Sequence, residues 1–157
     1  MIIGDINRFA FLAEKISDWS VCGFTNGNMQ LFVNGKGYPQ QKYTATLNME
    51  LANLLGEDSP LIAPVCDKEL FDLDADKLFD YFCDVTFDKG DYRFQLPFEV
   101  LMDSGWFAFV VSGDCDVRIQ LGRQTAADKF EFADEMVISR TELNSIVQQL
   151  VSFKEQL

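Results

Sequence analysis

Five aspartates recur at an unbroken spacing of four: Asp72, Asp76, Asp80, Asp84 and Asp88. The residues between them say what that spacing means. Ala75, Leu78, Phe79 and Phe82 fall at the i, i+3, i+4 and i+7 positions of one helix face. Asp74 stands where an N-cap belongs, so the pattern predicts a helix running to about Asp84. Asp76, Asp80 and Asp84 lie on its outer side, with Asp72 and Asp88 in the flanking turns. Four helical residues advance about 6 Å and overshoot a full turn by roughly 40°. The carboxylates therefore form a slowly winding ridge. Like charges four apart cost a helix a few tenths of a kcal/mol per pair. Such a ridge is either a solvated face that aids solubility or a surface that meets something basic, and spacing alone leaves both readings open.

The rest of the chain predicts strands and two further helices. Phe9 to Ile16, Val21 to Thr25, Met29 to Val33 and Gly37 to Thr44 read as extended segments. Asn26-Gly27 and Asn34-Gly35 between them carry the signature of hairpin turns, because this pair tolerates positive φ. Thr46 to Leu55 reads as a helix with Leu47, Leu51, Leu54 and Leu55 inward, Thr46 as cap and Glu50 near it, and Gly56 as its end. After the acidic region, Tyr92 to Leu96 and the apolar Trp106 to Val111 read as strands, the latter as a central one. Asp116 to Leu121 and Glu135 to Ile138 follow. Ser139 to Glu142 has the form of a capping box and opens a terminal helix that buries Leu143, Ile146, Val147, Leu150 and Val151. The expected fold is α+β, a mostly antiparallel sheet of about six to eight strands with three helices, in a single domain over 1–157.

Charge and chemistry narrow the function. The chain carries a formal charge of −12, and the stretch from Glu57 to Asp91 holds eleven acids against three lysines. That balance disfavours nucleic acid or an anionic membrane and favours a basic partner. There is no histidine, which removes the Ser-His-Asp and Cys-His arrangements and the commonest metal ligand. No P-loop and no GxGxxG run occurs. Asp72, Asp74 and Asp76 match positions 1, 3 and 5 of a calcium loop, but Lys77 and Cys83 occupy the positions that need Gly and Glu. No metal or other cofactor is expected, and no catalytic residue is singled out. The four cysteines are widely spaced and read as free, mostly buried thiols of a cytoplasmic protein, with no signal peptide ahead of them.

Several segments, in their order, carry a resemblance. They are Met1-Ile2-Ile3-Gly4-Asp5 with Phe9-Ala10, Asp18-Trp19-Ser20, Asn26-Gly27 and Leu31-Phe32-Val33-Asn34-Gly35-Lys36 with Tyr38-Pro39. Thr46-Leu47-Asn48, Asp91-Tyr92-Arg93-Phe94-Gln95, Gly105-Trp106-Phe107 and Val117-Arg118-Ile119 complete the set. Together they resemble a family of bacterial immunity proteins from polymorphic-toxin and contact-dependent growth-inhibition loci. The resemblance implies a non-enzymatic cytoplasmic protein that binds and neutralises a cognate toxin C-terminal domain. Many such toxins are nucleases with basic clefts, and the ~6 Å steps of the ridge are similar in scale to the separation of phosphates along a strand. Asp72, Asp76, Asp80, Asp84 and Asp88 are accordingly the candidate partner-binding residues. Two other classes stay open at this point: an acidic protein-binding adaptor without a toxin, and a carboxylate-dependent hydrolase.

Overall fold

The computed structural model describes residues 1–157, with all side chains except those of Lys42 and Tyr43. Seven strands form two antiparallel sheets. The first sheet has the order β1 (Ile2–Gly4), β2 (Phe9–Lys15), β3 (Asn26–Val33) and β4 (Lys36–Thr46). The second is β5 (Trp106–Ser112), β6 (Asp116–Ala126) and β7 (Lys129–Ser139). Between the sheets in sequence lie α1 (Leu47–Leu54), α2 (Lys68–Phe71), α3 (Ala75–Cys83), a π-helical turn at Asp84–Asp88 and α4 (Glu99–Asp103). The long α5 (Arg140–Glu155) ends the chain. The three helices of useful length are the three expected ones, and the architecture is α+β.

Alternation along β5 and β6 explains how the layers are stacked. Ala108 and Val110 of β5, with Val117, Ile119 and Leu121 of β6, face a large core shared with the first sheet, α1, α4 and α5. Phe109 and Val111 point the other way, into a second cluster with Leu78, Phe79, Phe82, Val85 and Phe94. A strand buried on both faces has no polar side, which is why Trp106 to Val111 reads as one apolar run. It is nonetheless an edge strand of its three-stranded sheet, and β6 is the middle one. Its outer edge is covered by local bridges from Gln95 and Cys66.

Several expectations are corrected. Val21 to Thr25 is not a strand: Val21 and Phe24 exchange two backbone hydrogen bonds across a tight turn whose Cys22 has φ 47°. Asn26-Gly27 does not turn the chain but begins β3, where a Cβ on residue 27 would stand 1.9 Å from the Glu14 carbonyl oxygen. Glycine serves close approach there, whereas Asn34 (φ 51°) and Gly35 (φ 78°) do form the expected hairpin turn. Tyr92 to Leu96 is irregular, with Leu96 N–H donating to Ala108 O and Val110 N–H to Phe94 O. Strand β6 runs five residues beyond Leu121 and β7 begins six before Glu135, so the segment that reads as weak is a long hairpin. In α5, Ser139 accepts from Glu142 N–H at 3.0 Å as the capping box predicts. The Glu142 carboxylate pairs with Arg8 instead of closing the box, and Val151 is exposed while Phe153 is buried.

Candidate functional site

The acidic arm from α2 to the π turn lies against the second sheet, and two buried polar residues of β6 fix it there. Arg118 Nη1 donates to the carbonyl oxygens of Phe71 and Leu73, and its guanidinium pairs with Glu135 at 2.8 Å. Gln120 Nε2 donates to Ala75 O and to Glu135 Oε2, each at 3.0 Å. The Arg118 bonds satisfy the carbonyls of Phe71 and Leu73 at the α2–α3 junction, which accept no helical N–H, and the Gln120 bond ties the first residue of α3 to the sheet. The apolar face of α3 then settles on the strand at a glycine: a Cβ on Gly122 would stand 2.2 Å from Phe79 Cζ. Asp74 occupies the N-cap position of α3 without a side-chain cap bond and pairs loosely with Lys77 at 3.8 Å. Thr46, ahead of α1, likewise makes no cap bond and donates to Asn26 Oδ1.

The π turn alters the ridge. Lys89 N–H donates to Asp84 O at 3.1 Å, an i→i+5 closure that holds more residues per turn than an α-helix. Four α-helical residues overshoot one rotation, whereas four residues of a π turn fall short of it. The winding between Asp80 and Asp84 is therefore reversed between Asp84 and Asp88. Asp80, Asp84 and Asp88 end up bordering one groove of about 460 Å³, together with Asp128 from the β6–β7 turn. Phe87 and Phe130 also line it, stacked at 4.3 Å with 3° between their planes. Among the described residues one cation pairs with these four carboxylates: Lys89 sits 2.6 Å from Asp84, and this hydrogen bond raises its pKa.

Asp72 and Asp76 take no part in that groove. Asp72 is exposed at the end of α2 and 3.8 Å from Lys68, and Asp76 is exposed in the first turn of α3. Asp128 belongs to a hairpin whose sequence carries no clear strand pattern. The alternation of Phe130 and Phe132 two residues later was the available signal.

The groove brings carboxylates together with one thiol, Cys83. Burial, then Asp80 and Asp88, push the Cys83 thiol beside it up to about 12, so it carries no thiolate near neutral pH. The other cysteines depart from expectation: Cys22, Cys66 and Cys115 are exposed, at the tip of the Val21–Phe24 turn, in the segment before α2 and in the β5–β6 turn. All four are free. Among the described residues no group of three or more Asp, Glu or Cys side chains has metal-binding geometry. Among the described residues no helix is long and apolar enough to cross a membrane.

A buried carboxylate elsewhere had no place in the sequence reading beyond a neighbour of the α1 cap. Glu50 is 4% exposed, and its oxygens accept from Glu99 N–H at 3.0 Å and Val100 N–H at 3.1 Å. It is the N-terminal cap of α4, supplied from another helix. Burial pushes its pKa to about 7 against the pull of those two hydrogen bonds, with Glu99 and Asp103 adding to the rise.

Comparison with known proteins agrees with this architecture. The crystal structure of CdiI from Burkholderia dolosa AUO158 matches with a TM-score of 0.75 at 24% identity, covering 98% of this chain and 99% of that one. No curated protein sequence matches the chain. A family model matches residues 1–153, and by that match the chain belongs to the Immunity protein 42 family.

Proposed function

We propose that the protein acts by stoichiometric binding, as one domain in the cytoplasm, to a cognate toxin C-terminal domain whose contacting surface is basic. Membership of an immunity-protein family supports inhibition without catalysis. The observation that carries the choice of surface is the π turn, which holds Asp80, Asp84 and Asp88 on one groove with Asp128. Asp72 and Asp76 extend the same acidic side and assist encounter. A face of this charge attracts a positive partner over about a Debye length, ~8 Å at physiological salt. Its rim carboxylates raise the association rate, and any that become desolvated against arginine or lysine slow dissociation. A toxin surface that binds phosphates is of this kind, and an acidic groove occupying it would exclude the nucleic acid.

The test is the variant Asp80→Asn, Asp84→Asn, Asp88→Asn, titrated against the toxin domain encoded upstream. The association rate at low ionic strength falls about tenfold, and its dependence on salt flattens. An association rate and salt slope equal to those of the unaltered protein would remove this groove as the interface.

A further inference from the structure

A second depression, of about 560 Å³, opens between α1 and the segment that enters α4. Ala52, Pro97 and Met102 supply apolar wall, and Gln95 lies among the lining residues although only 9% of it is exposed. Its amide has almost no partner. Nε2 donates to Met102 Sδ at 3.1 Å, a weak acceptor, and Oε1 makes no hydrogen bond among the described residues. The side chain is thus held mostly buried while its carbonyl oxygen stays open to the depression, where a ligand's donor can reach it.

The rim has its own character. Tyr92 is 64% exposed, and the turn that presents it is held on both sides. Asp91 N–H donates to Val85 O at 2.7 Å, while Arg93 forks onto the Asp91 carboxylate at 2.8 to 3.2 Å. Arg93 is thereby committed within its own turn. Glu57 and Asp58 border the depression and have no ion pair among the described residues. The groove thus offers an aliphatic channel, an exposed aromatic ring, an unused carbonyl acceptor and two uncompensated carboxylates.

We propose that this groove receives an arginine side chain of the partner toxin. The methylenes lie along Ala52, Pro97 and Met102, and the guanidinium donates to Gln95 Oε1 and to the carboxylates while facing the Tyr92 ring. Guanidinium suits the site because it is planar, weakly hydrated and carries five donors; an ammonium is compact and strongly hydrated. The assignment rests on the reading of the partner as a basic protein, and it adds a second seat distinct from the groove beside the π turn.

Two variants test it without disturbing the core: Ala52→Trp, which fills the channel from an exposed helix position, and Tyr92→Ala. Against the toxin domain each speeds dissociation about tenfold, while the association rate and its salt slope stay within about twofold of the unaltered protein. In parallel, N-acetyl-arginine methylamide shifts the Gln95 side-chain amide resonance, and the lysine analogue does not. Unchanged dissociation in both variants, with unchanged melting temperatures, overturns the arginine seat and leaves the acidic-groove reading intact. An equal response to the lysine analogue overturns the guanidinium assignment. Failure of the unaltered protein to bind the toxin removes both readings.

Discussion

Replacing Glu50 by Gln separates two contributions that the wild-type carboxyl combines. Glutamine keeps one carbonyl oxygen, so one of the two α4 N–H groups loses its partner, at a cost of about 1–2 kcal/mol. It also abolishes a titration. The Glu50 pKa rises from 4.5 in the unfolded chain to about 7 in the fold. A group whose folded pKa is raised contributes stability that is fully present below about pH 4.5 and is lost as pH climbs through about 7. At 1.36 kcal/mol per unit the loss totals about 3 kcal/mol, of which about 2.5 kcal/mol falls between pH 5 and pH 8. Every other carboxylate titrates alike in the two proteins and cancels in the difference. Glu50→Gln is therefore less stable than wild type at pH 5 and equal or more stable at pH 8. Urea unfolding at pH 5, 6, 7 and 8, followed by far-ultraviolet circular dichroism, measures that difference directly. A Glu50→Gln penalty constant within about 0.5 kcal/mol across the range would refute the reasoning. It would mean that the two N–H donors hold the carboxylate charged throughout.

Arg118→Met leaves the carbonyls of Phe71 and Leu73 without their donor and Glu135 without its charged partner, with only the Gln120 amide still donating to it. The cost is about 3 kcal/mol, and hydrogen exchange over residues 68–83 accelerates more than over α5. Gly122→Ala forces a methyl against Phe79 and the Glu131 carbonyl. It lowers stability by about 2 kcal/mol, read as a fall of roughly 6 °C in melting temperature.

What the sequence made legible was whatever one element decides for itself. Ser139 caps α5 because the bond it makes closes within four residues, and Leu78, Phe79 and Phe82 are inward because helical period alone groups them. Features that depend on a second element were not legible. Asn26-Gly27 and Asn34-Gly35 are the same dipeptide; only the nearness of Glu14 on the neighbouring strand separates a close approach from a turn. Arg118 and Gln120 alternate with Val117, Ile119 and Leu121 as residues facing water would, yet both are buried, because the acidic arm returns to cover them. Glu50 reads as part of a local cap and instead serves a helix 50 residues away. At the candidate groove, the four-residue period located Asp80, Asp84 and Asp88. Asp128 arrives from the hairpin turn between β6 and β7, where the only local hint is the alternation of Phe130 and Phe132 in the strand that follows.

The π turn makes the acidic face depend on chain length as well as on residue type. An i→i+5 turn amounts to one residue more than an α-helix accommodates at that point. Deleting a single residue between Val85 and Phe87 would let α3 run on as a regular helix and swing everything beyond it by about 100°. The composition of the face would be almost untouched, but Asp88 would leave the groove, and Phe87 would part from Phe130. A one-codon change in length is therefore a larger step for this surface than the exchange of any one of its aspartates.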